Sequence, residues 1–523
     1  MINELDLRLS PREAAVISLL RKAAARKLKI KEKEINDVRI VRRSIDARHG
    51  VKVNLTVRVA TGDDLSAGSS LRPVAFTPVP ADAPVMVIVG AGPAGLFAAL
   101  KCIQRGIRPI VLERGHDVDA RRLDLAAMCR EGRINPASNY CYGEGGAGAF
   151  SDGKLFTRSK KRGNVEDVLQ LLVQFGASER ILVDAHPHIG SDRLPKVIKA
   201  IREEIIRCGG EVNFSTRVDG LVVVDGVAAG VVASDGREYR GAVMLATGHS
   251  ARDTIRRLHA QGVGMQAKGI AVGVRLEHPQ HLIDKLQYHS EEGRGEYLPV
   301  AEYSFVTQSG GRGVYSFCMC PGGVIVPAGS ADGELVVNGM SASARAGKFA
   351  NSGMVVEIRP GDFPEYEKSG EMQLLDFQEN LERSMFMAAG ETINAPAQRM
   401  QDFVEGKVSE SLPDTSYAPG IHSADFNKLL PPFIADRLRD GFRQFGAKRP
   451  GFLTNEAKLI GLESRTSSPI RIPRDPESLC HTEISRLYPV GEGAGYAGGI
   501  VSAALDGMRA ADAYADTIDG KAN

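Results

Sequence analysis

The hydrophobic pattern near the start of the chain changes from helical to alternating spacing. Behind the capping box Ser10-Pro11-Arg12-Glu13, the apolar residues of Ala14 to Leu28 recur at helical spacing and predict a helix. Val38 to Ile45 and Val51 to Val59 then alternate as half-buried strands do. We therefore expect a small N-terminal α/β domain over residues 1–80.

From Val85 the pattern becomes that of a parallel α/β domain, after a linker rich in Gly, Ser, Pro and Asp. An apolar strand leads through a glycine turn into a helix, and a second apolar strand ends near residue 112. Leu221 to Tyr239 alternates through three short strands before the apolar strand Ala242 to Ala246. This order predicts a Rossmann-type domain with a parallel sheet and a β-meander.

The middle of the chain combines several strand-like stretches with a long helical segment, and this pattern predicts an inserted α+β domain over residues 263–450. Strand-like stretches lie at Ile270 to Leu276, Val314 to Cys320 and Glu334 to Asn338, and a long helix is expected over Gln373 to Ala389. The chain then returns to a short strand, a glycine cluster and an amphipathic helix. We expect the first domain to comprise two segments, residues 82–262 and 451–523.

The charge, cysteine content and apolar runs of the chain limit its expected partners and location. The 66 basic and 64 acidic residues give a net charge of +2, which argues against nucleic acid as a partner. The seven cysteines are odd in number and scattered, which favours a reducing, cytoplasmic location over a disulfide scaffold. The uncharged run Val85 to Leu100 is short and contains glycines, and residues 1–10 do not have the pattern of a secretory signal. We expect no membrane insertion.

The strongest chemical signal is the dinucleotide fingerprint Gly90-Ala-Gly92-Pro93-Ala94-Gly95 between strand and helix. Gly90 permits the turn, Gly92 lets the backbone approach a diphosphate, and Gly95 lets the helix pack on the strand. Glu113 follows 18 residues beyond Gly95, where a carboxylate can hold the ribose hydroxyls of an adenosine. A glycine turn in an unrelated α/β protein is the alternative.

A second glycine motif near the end of the chain indicates which dinucleotide is bound. Gly491 and Glu492 follow a strand, and Gly498-Gly499 precede a helix that begins near Ile500. In a flavin site such a carboxylate holds ribityl hydroxyls, and the helix N-terminus stabilises negative charge on the reduced ring. The alternative is a second glycine turn with a capped helix. The two motifs together predict non-covalently bound FAD.

On these motifs the chain resembles the two-dinucleotide-binding-fold flavoproteins, with a glutathione-reductase-like FAD domain, and most closely the uncharacterised bacterial FAD-dependent dehydrogenases. The stretches Gly143 to Leu155, Ala246 to His249 and Cys318 to Gly323 add to the resemblance. It implies further cofactor contacts at Arg114, Gly145, Gly146, Ala147, Gly148, Ser151, Val218, Thr247 and Gly248. Many relatives carry Asp where this chain has Glu492, so we expect its contact with the ribityl chain to be shifted or mediated by water.

The function predicted from the sequence is an FAD-dependent oxidoreductase that transfers hydride between flavin N5 and a small-molecule substrate. Apart from the glycine stretches attributed to FAD, the sequence has no second GxGxxG unit for NAD(P)H, and it has no CxxC pair, so NAD(P)H, as a transient electron donor, would have to act without its own Rossmann domain. Two alternatives are a flavoprotein that serves RNA modification and a redox-sensing binding protein. We expect no metal site.

Four residues are candidates for catalysis. His249 follows Thr247-Gly248 at the predicted domain junction. Cys318 and Cys320 are spaced so that a regular strand would place both thiols on one face, either as buried apolar residues or as groups beside the flavin. Arg465 lies in a stretch of hydroxyls and guanidiniums suited to a substrate carboxylate or phosphate, or to a solvated loop.

Overall fold

The computed structural model describes residues 1–48, 50–68, 71–157 and 163–520. Its N-terminal domain contains two helices and three strands: β1 Ile2–Leu9, α1 Pro11–Ala15, α2 Ile17–Leu28, β2 Ile35–Asp46 and β3 Lys52–Thr61. The strands form an antiparallel sheet in the order β1-β3-β2. The backbone amide of Arg43 in β2 donates to the carbonyl of Val183 at 2.9 Å, which joins this sheet to the next domain.

Two features of the N-terminal domain differ from the sequence prediction. The capping box at Ser10 is present, but the expected single helix is divided at Val16, whose backbone is extended with φ of −94° and ψ of 112°. Strand β1 was not predicted, although Leu5, Leu7 and Leu9 alternate with charged residues along it. The linker from Thr61 to Pro84 has no helix, and Ser69 and Ser70 within it lie outside the described residues.

Residues 85–260 alternate strands and helices as predicted for an α/β domain. The strands are β4 Val85–Val89, β5 Arg108–Leu112, β6 Glu211–Asn213, β7 Val218–Val224, β8 Val227–Ala233, β9 Glu238–Arg240 and β10 Ala242–Leu245. The helices are α3 Pro93–Gln104, α4 Val118–Glu131, α5 Val165–Gln174, α6 Leu194–Arg207 and α7 Arg252–Ala260.

The remainder of the chain is richer in strands. These are β11 Gln266–Ala267, β12 Ile270–Pro279, β13 Val306–Ser309, β14 Arg312–Pro327, β15 Val337–Met340, β16 Phe349–Ile358, β17 Ala395–Arg399, β18 Ile421–Ser423, β19 Lys458–Glu463, β20 Ile470–Arg471 and β21 Leu487–Pro489. The helices are α8 Gln280–Tyr288, α9 Gln373–Ala388, α10 Met400–Glu405, α11 Phe426–Leu429, α12 Pro432–Lys448 and α13 Ile500–Ile518.

A five-stranded parallel sheet forms the centre of the first large domain, in the order β21-β10-β4-β5-β6. Strands β7, β8 and β9 form the separate antiparallel meander. The last helix, α13, packs so closely on α3 that a Cβ on Gly507 would lie 2.0 Å from the carbonyl oxygen of Ala94. The α/β, Rossmann-type prediction for this domain is confirmed.

The second large domain is built on a mixed sheet, in the order β13-β14-β16-β12-β19-β17-β18 with β15 paired to β14. Strand β19 pairs with β12 and β17, so this sheet extends past the predicted domain boundary at residue 450. The strand expected at Glu334 begins only at Val337. Glu334 instead accepts hydrogen bonds from the amides of Ser330 and Ala331, at 2.9 and 3.1 Å, and closes a turn.

Among the helices of residues 1–48, 50–68, 71–157 and 163–520, none has the length and apolar character needed to span a bilayer.

Candidate functional site

The turn between β4 and α3 has almost no room for side chains. Gly90 has φ of +110°, and a Cβ there would lie 2.4 Å from the carbonyl oxygen of Ala246. A Cβ on Gly95 would lie 2.0 Å from the carbonyl oxygen of Gly90. Since real Cβ atoms do not approach oxygen so closely, both positions require glycine. The turn therefore has the tight geometry that brings a helix N-terminus close to a diphosphate.

Two further backbone segments meet this turn. A Cβ on Gly146 would lie 3.2 Å from the Cα of Gly92, so these glycines face each other with backbone on both sides. A Cβ on Gly148 would lie 3.2 Å from the Cγ1 atom of Ile500, the first residue of α13. The segments 90–95, 145–148 and 498–500 thus form one cradle, and helices α3 and α13 both begin at it.

This cradle is part of a cavity of about 360 Å³. The residues predicted to contact the cofactor that line the cavity are Gly90, Gly92, Pro93, Ala94, Glu113, Arg114, Gly146, Ala147, Gly148, Ser151, Val218, Thr247, Gly248, Gly491, Glu492, Gly498, Gly499 and Ile500. Gly95 lies behind the turn, and Gly145 packs against Ile198, whose Cδ1 atom would be 2.4 Å from a Cβ at that position. Eight of the predicted residues that line the cavity are glycines, which leave backbone amides accessible to a ligand with phosphates.

The carboxylate of Glu113 is buried and largely occupied by the protein itself. One oxygen, Oε1, accepts from the amides of Gly115 and Gly143 at 2.9 and 3.0 Å, and Oε2 accepts from the amide of Ala91 at 2.9 Å. A carboxylate has about four acceptor positions, so Oε2 retains one for a ribose hydroxyl. Glu113 therefore joins three turns around the cradle, a role that its spacing from Gly95 did not indicate.

The loop that precedes α13 is held by a buried ion pair. Asp506 of α13 accepts from Arg474 at 2.6 and 3.0 Å, and from the backbone amide of Gly491 at 2.8 Å. The Asp506 side chain is fully buried and that of Arg474 is 5% exposed. Because Gly491 lies in the cavity wall, this pair positions the loop against the cradle.

Asp506→Asn is expected to lower the free energy of unfolding by about 1–3 kcal/mol, because it weakens charged hydrogen bonds at a buried site. FAD affinity should fall with it, since the Gly491 loop loses its fixed position. Urea unfolding and a flavin titration would measure the two effects. The control is Asp512→Asn on the same helix, whose 38% exposed side chain pairs with Arg105. Equal effects of the two variants would contradict a special role for Asp506.

His249 and Glu492 form a pair within the cavity wall. Nδ1 of His249 lies 3.0 Å from Oε2 of Glu492, and their side chains are 11% and 24% exposed. The other carboxylate oxygen of Glu492 would lie 3.2 Å from a Cβ on Gly498. Glu492 is therefore between the candidate catalytic imidazole and the N-terminus of α13. His249 thus contacts one of the two carboxylate oxygens of Glu492, and the expected shift of the contact between Glu492 and the ribityl chain stays a prediction.

Arg465 also reaches the cavity, but its charge is balanced by carboxylates of the protein. Its Nη2 atom donates to Glu334 and Glu382 at 2.6 and 2.8 Å, and Nε donates to Glu382 at 3.1 Å. Nη1 donates to the Ser330 hydroxyl at 2.7 Å. Each guanidinium nitrogen thus has a protein partner, which contradicts the interpretation of Arg465 as a free receptor for a substrate anion.

The second domain also contributes to the cavity wall, through Phe317, Cys318 and Asn338. Cys318 is half-buried and reaches the cavity, whereas Cys320 is fully buried. Strand β14 changes register between Phe317 and Cys320, and Cys318 has φ of +45°. This irregularity interrupts the alternation on which the expectation of a shared strand face depended.

Several residues that line the cavity were missed in the sequence. Tyr142 stacks under Arg114, whose guanidinium carbon lies 4.1 Å from the ring centroid, and its hydroxyl donates to the Ser250 carbonyl. Lys154 lines the cavity and donates to the carbonyl of Met319. Tyr142 directly precedes the stretch Gly143 to Leu155, and Lys154 lies within it, so this stretch was the available signal. In the described part of the chain, no group of three or more His, Cys, Asp or Glu is arranged to hold a metal ion.

Comparison with known families gives matches at two places. Residues 269–466 match the family described as "FAD-dependent protein, C-terminal domain-like", and residues 1–60 match a domain of unknown function. An uncharacterised protein of Clostridium beijerinckii is 40% identical over 521 residues, which cover 96% of this chain and 97% of the relative. The similarity thus extends through all three domains.

Two solved structures that resemble this chain are distant from it in sequence. A geranylgeranyl bacteriochlorophyll reductase-like protein of Thermoplasma acidophilum is 12% identical, with 84% of this chain and 79% of the other covered and a TM-score of 0.35. An oxidoreductase of Methanosarcina mazei is 13% identical, with coverage of 81% and 99% and a TM-score of 0.32. The fold assignment rests on the strand order and the glycine turn rather than on these low scores.

Proposed function

Because this chain belongs to the same family as the Clostridium beijerinckii protein and carries the C-terminal region of an FAD-dependent protein, we propose that it is an FAD-dependent oxidoreductase. Its substrate would be a small molecule that enters the cavity between the two large domains. FAD binds without a covalent bond in this proposal and supplies the capacity to accept or donate hydride.

The convergence of three backbone segments on one cavity carries the proposal. The turn at Gly92 faces Gly146 across a gap that a side chain would fill, and α3 and α13 both point their N-termini at it. Unpaired amides and the positive end of the helix dipole favour an anionic ligand there. A nucleotide with two phosphates fits the turn at Gly92, and an electron-rich reduced ring fits the N-terminus of α13.

The residues of the chain would then have distinct tasks. The turn from Gly90 to Gly95 would hold the diphosphate, and the free acceptor position of Glu113 would hold a ribose hydroxyl. The amides at the start of α13 would stabilise negative charge by roughly 0.3–2 kcal/mol. The Glu492 carboxylate lies 3.0 Å from the His249 imidazole and orients it within the cavity. His249 is therefore our candidate for proton transfer to or from the substrate.

A spectrum of the purified protein tests the proposal directly. We expect a yellow protein that releases one equivalent of FAD on denaturation and bleaches under anaerobic reduction with dithionite. Anaerobic mixing with panels of small metabolites should then identify substrates that bleach the same band. A colourless protein that cannot be reconstituted with FAD would refute the cofactor assignment. A flavin that binds but is not reduced or reoxidised by any chemical couple would refute the oxidoreductase assignment.

A further inference from the structure

Cys318 and Cys320 lie at an irregular point of β14. In a regular strand, residues two apart are separated by roughly 6–7 Å, at the upper end of the Cα–Cα distances that a disulfide spans. Here the register with β16 shifts between Phe317 and Cys320, and Cys318 takes the left-handed φ of +45°. The bend brings the Cys320 sulfur to 3.4 Å from the carbonyl oxygen of Cys318. The Cys320 side chain therefore turns back towards the backbone of Cys318 at this irregularity, and the two thiols are within hydrogen-bond reach of each other.

The two thiols differ in their access to the cavity. Cys318 lines the cavity that the glycine turns share, while Cys320 is fully buried behind it. Arg275 is fully buried beside both, with Nη2 at 2.7 Å from the Cys318 carbonyl oxygen and 3.5 Å from the Cys320 sulfur. This arrangement gives one thiol that a ligand in the cavity can reach and one that is screened from it.

The charges around the pair favour a thiolate at the accessible position. A hydrogen bond from Cys320, with the positive charges of Arg275 and Lys154, lowers the pKa of the Cys318 thiol. The hydrogen bond with Cys318, together with burial, raises the pKa of Cys320. Asp152 opposes the shift at Cys318, while Glu463 lies 3.1 Å from Arg275 and is paired with it. A thiolate beside a protonated thiol is the arrangement of dithiol redox sites.

We infer that Cys318 and Cys320 form a redox-active pair that exchanges two electrons with the flavin, an inference that rests on the proposed function. In one direction, the Cys318–Cys320 disulfide would accept two electrons and two protons and become two thiols, and bound FADH⁻ would supply the electron pair and one of the protons. The S–S bond breaks, and flavin loses the electron pair that the sulfurs gain. In the other direction, the dithiol forms the S–S bond, and its electrons reduce FAD.

The substrate class that fits this pair is a thiol or disulfide small enough to enter the cavity. The thiolate of Cys318 attacks a substrate disulfide, forms a mixed disulfide and releases one substrate thiol. Cys320 then attacks the Cys318 sulfur, which releases the second substrate thiol and forms the internal disulfide. Cys318 and Cys320 would return to the dithiol by accepting two electrons from the bound flavin. Only Cys318 need be reached by the substrate, consistent with the burial of Cys320.

The first test measures whether Cys318 and Cys320 form a disulfide in the absence of flavin. Apoprotein is equilibrated anaerobically with reduced and oxidised glutathione, quenched with iodoacetamide and digested with trypsin. The peptide of residues 313–345 contains Cys318 and Cys320 as its only cysteines. We expect an unalkylated form, lighter than the dithiol form by two hydrogen atoms, whose fraction rises as the buffer becomes more oxidising. Cys480→Ser should behave as wild type, and Cys320→Ser should yield no such form. A wild-type peptide that stays fully alkylated across the series would overturn the inference.

The second test counts electrons in the holoprotein. Starting from glutathione-oxidised protein freed of glutathione, anaerobic titration with dithionite to full bleaching should consume about twice the reducing equivalents per flavin in wild type as in Cys318→Ser or Cys320→Ser. Cys480→Ser should match wild type. Equal consumption by all four proteins would overturn the pair even if FAD binds. Absence of FAD would overturn the proposed function, while the peptide test would still decide whether the pair forms a disulfide.

Discussion

Replacement of Gly92 by valine is expected to give a folded protein that no longer retains FAD. Gly92 has φ of −77° and ψ of −176°, a conformation that any residue adopts, so valine would not strain the backbone. A Cβ at this position would point across the cradle, 3.9 Å from the Cα of Gly146. The branched methyl groups would occupy the space through which a diphosphate approaches the amides. We expect FAD affinity to fall at least about a hundredfold, or roughly 2.7 kcal/mol.

Flavin content after purification and a fluorescence titration of apoprotein with FAD would measure this loss. Gly92→Ala provides a graded variant and should weaken binding less. Gly313→Ala is the control, since a Cβ on Gly313 meets no atom closer than 3.6 Å and the residue lies outside the cavity wall. If Gly92→Val bound FAD as tightly as this control, the diphosphate would have to lie elsewhere, and the proposed cofactor site would be wrong.

Glu382→Ala is expected to destabilise the protein by about 3–5 kcal/mol, the cost of leaving buried charges without their partner. The Glu382 side chain is fully buried, and its oxygens accept from Arg252 at 2.8 Å and from Arg465 at 2.8 and 3.1 Å. These three residues come from α9, α7 and the segment after β19. Loss of the Glu382 carboxylate should therefore weaken the junction of the two large domains. Urea unfolding would measure the loss of stability.

The neighbouring carboxylate Glu379 offers a control on the same helix. It is 25% exposed and pairs with Arg256 at 2.7 Å, so Glu379→Ala should cost under about 1 kcal/mol. If Glu382→Ala lowered the free energy of unfolding no more than Glu379→Ala does, the predicted importance of the buried cluster would be contradicted.

The contribution of Glu382 should also depend on pH. Although burial raises the pKa of Glu382, the charges of Arg252 and Arg465 hold it far below its usual value. A carboxyl with a lowered folded-state pKa stabilises the protein fully above its unfolded pKa of about 4.3, and less as the pH falls below that value. The difference in unfolding free energy between wild type and Glu382→Gln should be constant near neutral pH and should shrink in acid.

The first large domain was readable from sequence because its signals are local. The apolar strand at Val85, the glycine turn and the helix form one continuous stretch, and each part of the stretch predicts the next. The division of the N-terminal helix at Val16 had no such signal, because valine is tolerated within helices and the break depends on packing. Strand β19 was assigned to the wrong side of a boundary, since its partners β12 and β17 are distant in sequence.

The candidate site also contains some features that local sequence predicts and others that depend on residues distant in sequence. The glycine positions could be predicted because they lie in short motifs, each next to a predicted strand or helix. Arg465 pairs with Glu334 and Glu382, which are more than 80 positions away in sequence. The residues around Arg465 therefore suggested a substrate anion as its partner, whereas carboxylates of the protein take that place. The bend at Cys318 was likewise invisible, because it depends on the register of β14 against β16.

The strand order of the parallel sheet bears on how the chain is synthesised. Strand β10 ends at Leu245, yet its neighbour β21 begins only at Leu487. While a ribosome adds the intervening residues, one side of β10 has unpaired amides and carbonyls that could join another nascent chain. Protection of this border by a chaperone, or by slow translation that spaces neighbouring ribosomes, would improve the yield of folded protein on expression.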